Sequence, residues 1–314
     1  MPKALFIVVP CYNEELVVDE AASRLKAKLE QMINGELVSK ESRVVFVDDG
    51  SKDKTWEKIG LLNKADKTFI GLKLSRNKGH QNALLSGLMY AKDRADMAIS
   101  IDADLQDDID VMDSFVENFN NGCDVVCGVR KSRKTDTFFK KNTALAFYKF
   151  MKILGVDIVY NHADYRLLSK RALESLSQYN ERNLFLRGII STMGYKTENV
   201  YYDRFERFAG ESKYPLKKML SFALNGITSF SVRPLKIITT VGIIIFIISL
   251  LSFAYPIASI FLGNTVPGWI SIMLSVWTLG GIQIFCIGII GEYLGKIYTE
   301  VKNRPHYFVD EILE

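Results

Sequence analysis

The chain has 314 residues, 48% of them hydrophobic and 24% charged, with a net charge of +4. That composition supplies a packed core, excludes a disordered chain and allows about two domains at ~150 residues each. Cys11, Cys123, Cys127 and Cys286 show no Cys-x-x-Cys spacing and only three histidines exist, so the cysteines read as small buried hydrophobes in a reducing compartment rather than zinc ligands.

Taken in chain order, short apolar runs alternate with amphipathic stretches. Ala4–Val9 predicts a first strand, too short for a signal-peptide core and stopped by Pro10. Glu14 to about Ile33 predicts a helix with Asn13 as its N-cap. Arg43–Val47 predicts a second strand and Lys54–Lys64 a second helix. Thr68–Leu74 and Gln81–Ala91 repeat the pair, and Met97–Ile101 and Asp124–Gly128 give a fourth and a fifth strand. Such alternation predicts an α/β fold with a mostly parallel sheet covered on both faces.

Polar residues follow each strand. They are Pro10 to Glu15, Asp48 to Asp53, Ser75 to His80, Asp102-Ala103-Asp104, and Val129 to Lys131. In open α/β sheets ligands bind at that carboxyl edge. The fourth segment continues as Leu105-Gln106-Asp107 and is the most telling. Two carboxylates there suit a hard divalent cation, Mg²⁺ or Mn²⁺, which takes oxygen ligands from one or two acids and from substrate phosphates. No Gly-x-Gly-x-x-Gly follows any strand, and Gly50-Ser51-Lys52-Asp53-Lys54-Thr55 lacks the spacing of a phosphate loop.

From Ile237 to Gly291 there is no Asp, Glu, Lys or Arg. A turn-like cluster, Gly263 to Gly268, divides this window into two runs, each longer than the roughly 20 residues that span a bilayer. They predict transmembrane helices at about Ile237–Leu262 and Gly268–Ile290. Arg233, Lys236, Lys296, Lys302 and Arg304 flank the pair and the connecting loop has no basic residue, so both flanks are expected in the cytoplasm. Residues 237–314 carry three basic and five acidic side chains, a net −2, so the first 236 residues carry +6. A basic soluble part beside anionic lipid points to a membrane surface or an anionic substrate. No basic run interleaved with aromatics speaks for nucleic acid. Phe138–Leu154 and Pro215–Val232 mix lysines with apolar residues at helix spacing, and the second is expected to lie in the membrane interface.

The motifs Val8 to Glu15, Val47 to Ser51, Arg76 to Gly79 and Asp102 to Asp107 resemble family 2 glycosyltransferases of the GT-A fold. Asn161 to Arg166, Asn183 to Gly188 and Arg207 to Tyr214 resemble the polyisoprenyl-phosphate branch of that family, and Gly291 to Tyr298 resembles its bactoprenol type. The resemblance implies a Rossmann-like GT-A cytosolic domain, interfacial helices and a two-helix transmembrane hairpin. The expected divisions are a catalytic domain over 1–214, a juxtamembrane helix over 215–236, two spans within 237–291 and a cytoplasmic tail over 292–314. It implies transfer of one sugar, with inversion, from a nucleotide sugar to undecaprenyl phosphate on the cytoplasmic face of a bacterial membrane, in the service of cell-envelope polysaccharide modification. The donor is expected to be UDP-linked glucose or N-acetylhexosamine, and the assembly a homotetramer.

Carried over by position, Pro10, Tyr12, Glu14, Phe46 and Asp48 are expected around the base and ribose, Phe46 partly through its backbone. Asp102, Asp104 and Gln106 are expected to hold the metal, with Ala103 beside the nucleotide. Arg130, Arg207 and Lys213 are expected on phosphates, with Arg133 joining them at the acceptor. Asp104, Asp164, Arg207 and Lys213 are the expected catalytic set. Asp164 has two open readings, a proton acceptor or an orienting partner for Arg166. Asp108 stands where family members often have Pro, and the Gln-x-x-Arg-Trp motif of processive synthases is absent. A membrane-anchored nucleotide-sugar binder without turnover is the alternative, and a flippase a more distant one.

Overall fold

A computed structural model describes residues 2–104, 106–131, 162–182, 184–203, 205, 233–252 and 268–314. The expected Arg133, Arg207 and Lys213, and the segments Phe138–Leu154 and Pro215–Val232, lie outside the described residues.

The chain divides into two compact units. The first holds an eight-stranded sheet. Its strands are β1 (Leu5–Cys11), β2 (Arg43–Asp48), β3 (Phe69–Leu74), β4 (Met97–Ser100), β5 (Val125–Arg130), β6 (His162–Ser169), β7 (Thr197–Tyr202) and β8 (Val309–Leu313). Their order across the sheet is β7-β5-β6-β4-β1-β2-β3-β8. The helices of this unit are α1 (Val18–Asn34), α2 (Thr55–Ala65), α3 (His80–Lys92), α4 (Met112–Asn120), α5 (Lys170–Leu176) and α6 (Leu186–Thr192).

Every residue of β1 is buried, as befits a central strand with helices on both faces. β1 pairs in parallel with β2 and β4, and β2 with β3. α3 lies close on this sheet because Gly87 has no side chain: a Cβ there would meet Val8 Cγ1 at 2.3 Å and Val47 Cγ2 at 2.8 Å.

The sheet is mostly parallel, as expected, but mixed: six of its eight strands run in one direction. β6 runs antiparallel to both β4 and β5 and so separates them, β7 is parallel to β5, and β8 is antiparallel to β3. β8 lies within the expected tail over 292–314 and joins its end to the sheet. Residues from Asn303 onward belong to the first unit, and Ser75 N donates to Phe308 O at 3.0 Å. The last residue is held as well: Tyr90 Oη donates to Glu314 Oε1 at 2.6 Å, and Lys67 Nζ to its backbone oxygen at 2.5 Å.

The second unit contains α7 (Arg233–Ser252) and α8 (Trp269–Lys302). Among the described residues one helix, Thr278–Lys302, is long and apolar enough to cross a membrane. α7 contributes a shorter apolar run, Leu235–Ile244, and residues 253–262 of the first expected span lie outside the described residues. α8 continues past the expected end at Ile290. Its 34 residues are about 51 Å long at 1.5 Å per residue, more than a bilayer core requires. Ile284, Phe285 and Ile287 are exposed on it.

Candidate active site

The first wall of the cleft is built by the loops after β1, β2 and β3. Asn13 was expected to cap α1, but α1 starts at Val18 and Val17 is its N-cap. Asn13 instead adopts a left-handed conformation (φ 55°) and joins two loops. Its backbone N donates to Ser51 Oγ at 2.9 Å, and its Oδ1 accepts from Lys52 N at 2.9 Å. Glu14 N donates to Thr55 Oγ1 at 2.9 Å, and Glu15 N to Asp53 Oδ2 at 3.2 Å. Gly50 (φ 66°) completes the wall, since a Cβ on it would lie 2.7 Å from Arg76 C and Asn77 N.

Asp48 is buried and both its oxygens accept from Ser51 N, at 3.2 and 3.3 Å; burial pushes its carboxyl up. Asp49, also buried, accepts from Lys78 N (2.7 Å) and Gly79 N (2.8 Å) and so ties the β2 loop to the β3 loop. Burial raises its pKa as well, against those two amides. Pro10 is buried at the end of β1, Tyr12 is exposed and Glu14 half-buried in the joined loops, so Pro10, Tyr12, Glu14 and Asp48 come together as expected residues of one wall. Phe46 does not join them. It is fully buried in the core, packs 6.1 Å from Phe69, and sits mid-strand, facing Val9 on one side and Gly71 on the other. The reason is position along the strand: Phe46 shares a face with Asp48 but lies two residues before the edge where Asp48 emerges, so its side chain stays in the core.

The second wall carries the carboxylates. Asp102, Ala103, Asp104 and Gln106 follow β4 on one loop, where Asp104 Oδ1 accepts from Gln106 N at 3.2 Å. Ala103 is buried and both acids are half-buried. The Asp102 carboxyl is pushed up to about 6, first by burial, with Asp164, Asp107 and Asp104 adding to the rise against an opposing pull from His80. A crowded acid of this kind beside a second acid is a place where a cation is wanted. Among the described residues no group of three or more His, Cys, Asp or Glu side chains could hold a metal ion on its own, and two carboxylates with an amide would leave ligand positions for diphosphate oxygens. The donor set fits Mg²⁺ or Mn²⁺.

Gln106 O accepts from Phe205 N at 2.9 Å, which brings the chain leaving β7 onto the carboxylate loop. Behind it, buried Asp107 Oδ1 accepts from Arg130 Nε (3.1 Å), Arg130 Nη2 (2.8 Å) and Tyr202 Oη (2.6 Å). Burial works against the Arg130 charge, but Asp107 and Tyr202 outweigh it and raise its pKa. Arg130, expected on a phosphate, thus points at least two N–H groups into the fold.

Asp164 lies on β6 and its oxygens accept from Arg166, Arg187 and Gln81. Burial alone would raise this carboxyl, yet Arg187, His80 and Arg166 hold it well below the usual range. His80 Nε2 stands 3.6 Å from Asp102 Oδ1 and 3.5 Å from Asp164 Oδ2, linking the two acids. His80, Gln81, Arg187, Asp107 and Tyr202 had no expected role. His80, Asp107 and Arg187 lay inside segments already singled out, but only the fold brings them to Asp102, Asp164 or Arg130.

Residues 6–177 match the family model described as glycosyl transferase family 2, and residues 233–297 match the one described as the GtrB C-terminal hairpin. The chain is 54% identical over 306 residues to the "Uncharacterized glycosyltransferase YkoT" of Bacillus subtilis (strain 168), covering 98% of this chain and 91% of that protein. It is 41% identical over 305 residues to the "SfII prophage-derived bactoprenol glucosyl transferase" of Shigella flexneri, covering 96% of each. The "Prophage bactoprenol glucosyl transferase homolog" of Escherichia coli (strain K12) is 40% identical over 308 residues, covering 98% of each. The chain belongs to glycosyl transferase family 2 and is a glycosyltransferase with a GtrB-type C-terminal segment.

Proposed function

We propose that the chain transfers a single sugar from a UDP-sugar, glucose or an N-acetylhexosamine, to undecaprenyl phosphate at the cytoplasmic face of a bacterial membrane, with inversion at the anomeric carbon. The observation that carries this reading is the half-buried pair Asp102 and Asp104 at the carboxyl edge of the sheet, in a chain that also carries a membrane-length helix. The bactoprenol glucosyl transferases related to it over nearly their whole length support the choice of acceptor and sugar.

In the proposed step a phosphate oxygen of the acceptor forms a bond to the anomeric carbon while the bond to the nucleoside diphosphate breaks. A phosphate monoester with a second pKa near 6 is largely dianionic at pH 7, so it needs no proton removed before attack. Asp102, Asp104 and Gln106 would hold the divalent ion, which supplies Lewis-acid neutralisation of the leaving diphosphate. Pro10, Tyr12, Glu14 and Asp48 hold the nucleoside against the first wall. Arg207 and Lys213 are the proposed phosphate-binding cations. The chain enters their segment from Phe205, which is bonded to the metal loop through Gln106.

The connectivity supports two membrane crossings. The chain leaves the sheet after Tyr202 and returns to it as β8, hydrogen-bonded to β3. A segment that starts and ends on one side crosses a membrane an even number of times. α8 accounts for one crossing, and we assign the other to the run that begins in α7. Basic residues at both flanks support a cytoplasmic sheet domain.

The test is incubation of the full chain in detergent with UDP-sugars, Mn²⁺ or Mg²⁺ and undecaprenyl phosphate, with lipid products identified by mass. A lipid-linked hexose that disappears on chelation is the expected result. Nucleotide binding without product from any donor would favour the non-turnover alternative and remove the transferase reading of this site.

A further inference from the structure

Asp164 has no oxygen left open. Its Oδ1 accepts from Arg166 Nη2 at 2.6 Å and Arg187 Nε at 3.0 Å, and its Oδ2 from Arg187 Nη2 at 3.1 Å and Gln81 Nε2 at 3.3 Å. An ionised carboxylate offers about four acceptor sites, and four donors fill them. A proton could reach Asp164 only after one of these donors let go.

The two arginines differ in what they can reach. The Arg166 side chain is 3% exposed, whereas that of Arg187 is 29% exposed. Arg187 lies in the first turn of α6, and that turn is fixed to α3: Leu186 N donates to Gln81 Oε1 at 3.1 Å, while the same amide's nitrogen holds Asp164. One imidazole, His80, then separates Asp164 from Asp102. Arg187 is therefore held on a rigid mount against Asp164, which His80 links to Asp102. It meets Asp164 through two N–H groups while part of its side chain stays exposed.

We propose that Arg187 binds a phosphate group of the reactants beside Asp102, and that Asp164 is the positioning residue that aims it rather than a proton acceptor. A guanidinium suits this task because it meets phosphate oxygens with paired N–H groups. The inference rests on the transferase reading above, in which two phosphates enter the site: the diphosphate of the donor and the monophosphate of the lipid.

The experiment uses the full chain in detergent. Arg187→Gln is expected to lose roughly 10²-fold in kcat/KM, the usual effect of removing one electrostatic donor. Which KM rises identifies the phosphate, and UDP titration with Mn²⁺ reads the donor arm without turnover. Asp164→Asn keeps the shape of the side chain and is expected to lose about as much. The double variant Asp164→Asn/Arg187→Gln is expected to be no worse than Arg187→Gln by more than about threefold, because Asp164 acts through Arg187. Arg187→Lys, which keeps the charge on a partly exposed site, is expected to recover part of the loss. Two results overturn the proposal: Arg187→Gln within threefold of wild type in both KM values, kcat and UDP affinity, or losses that multiply in the double variant as two independent roles require. A wild-type chain that binds UDP and forms no glycolipid instead sinks the transferase reading, and the UDP arm still reads Arg187.

Discussion

The loops after β1 and β2 are joined mainly by backbone amides donating to side-chain oxygens, as between Asn13 and Ser51 or Glu14 and Thr55. On the carboxylate side the joins are ion pairs: Asp107 after β4 with Arg130 on β5, and Asp164 on β6 with Arg166 of the same strand and Arg187 of α6. The difference follows from what each side handles. A nucleoside asks for shape and for hydrogen bonds at fixed places, which rigid turns supply. Phosphates and a cation ask for charge, and charges held in a partly buried site must be paired to be tolerated. The two walls should therefore fail differently when cut.

The largest effect is expected on the charged wall. Asp107→Ala strips the partner from Arg130, which is three-quarters buried, and the acceptor from Tyr202 Oη. Leaving a buried charge uncompensated costs about 3–5 kcal/mol. Denaturant unfolding of the variant should show a loss of that order, and a loss below about 1 kcal/mol would erase the contrast between the walls. Asp104→Asn comes next. The amide keeps an oxygen for Gln106 N, so the fold should hold while kcat falls by ~10²–10³. A melting curve and a rate measured on the same sample separate the two.

The backbone-bonded wall should yield less. Gly50→Ala places a Cβ 2.7 Å from the backbone of the β3 loop at a φ of 66°. A strained residue of this kind costs of order 1–3 kcal/mol. The expected signature is a raised KM for the donor with kcat largely kept, since the joined loops shift while the carboxylates stay. A fall in kcat alone would show that the two walls are not separable in this way.

The same contrast governs what the sequence made legible. β1 to β5 were visible because central strands of a covered sheet are continuous apolar runs. β6, β7 and β8 were not. β6 begins with His162-Ala163-Asp164 and was read only as a motif, β7 is an edge strand with half its residues exposed, and β8 is five residues with two acids among them. The turn-built wall could be anticipated, because its ligands follow the strands directly. The charged wall was half visible: Asp102 and Asp104 announce themselves, but the partners of Asp164 lie 83 and 23 positions away at Gln81 and Arg187. Pairing at that separation is a property of the sheet order, which no local pattern encodes. Phe46 shows a different limit. The resemblance put it at the pocket partly through its backbone, and its side chain is buried in the core two positions short of the strand's edge.

The smallest effect sets the scale for the others. Asp66 and Lys26 form an ion pair at 2.5 Å with both side chains partly exposed, away from either wall. The Lys26 ammonium, and then the Thr68 amide at 2.8 Å, hold the Asp66 carboxyl down to about 2. An unfolded Asp titrates near 3.9. A depressed carboxyl contributes stability that is complete above the unfolded value and is lost as the pH falls through the folded one. Asp66→Asn should therefore lower the melting temperature slightly and by a constant amount from pH 7 down to about pH 5, and the gap should close between about pH 4 and pH 2. A gap that persists at pH 2 would mean the charge of Asp66 is not what stabilises. An exposed pair is worth little because water competes for both partners. Asp107 forms the same kind of bond with Arg130 and is expected to matter several times more, for the sole reason that the sheet has removed the water.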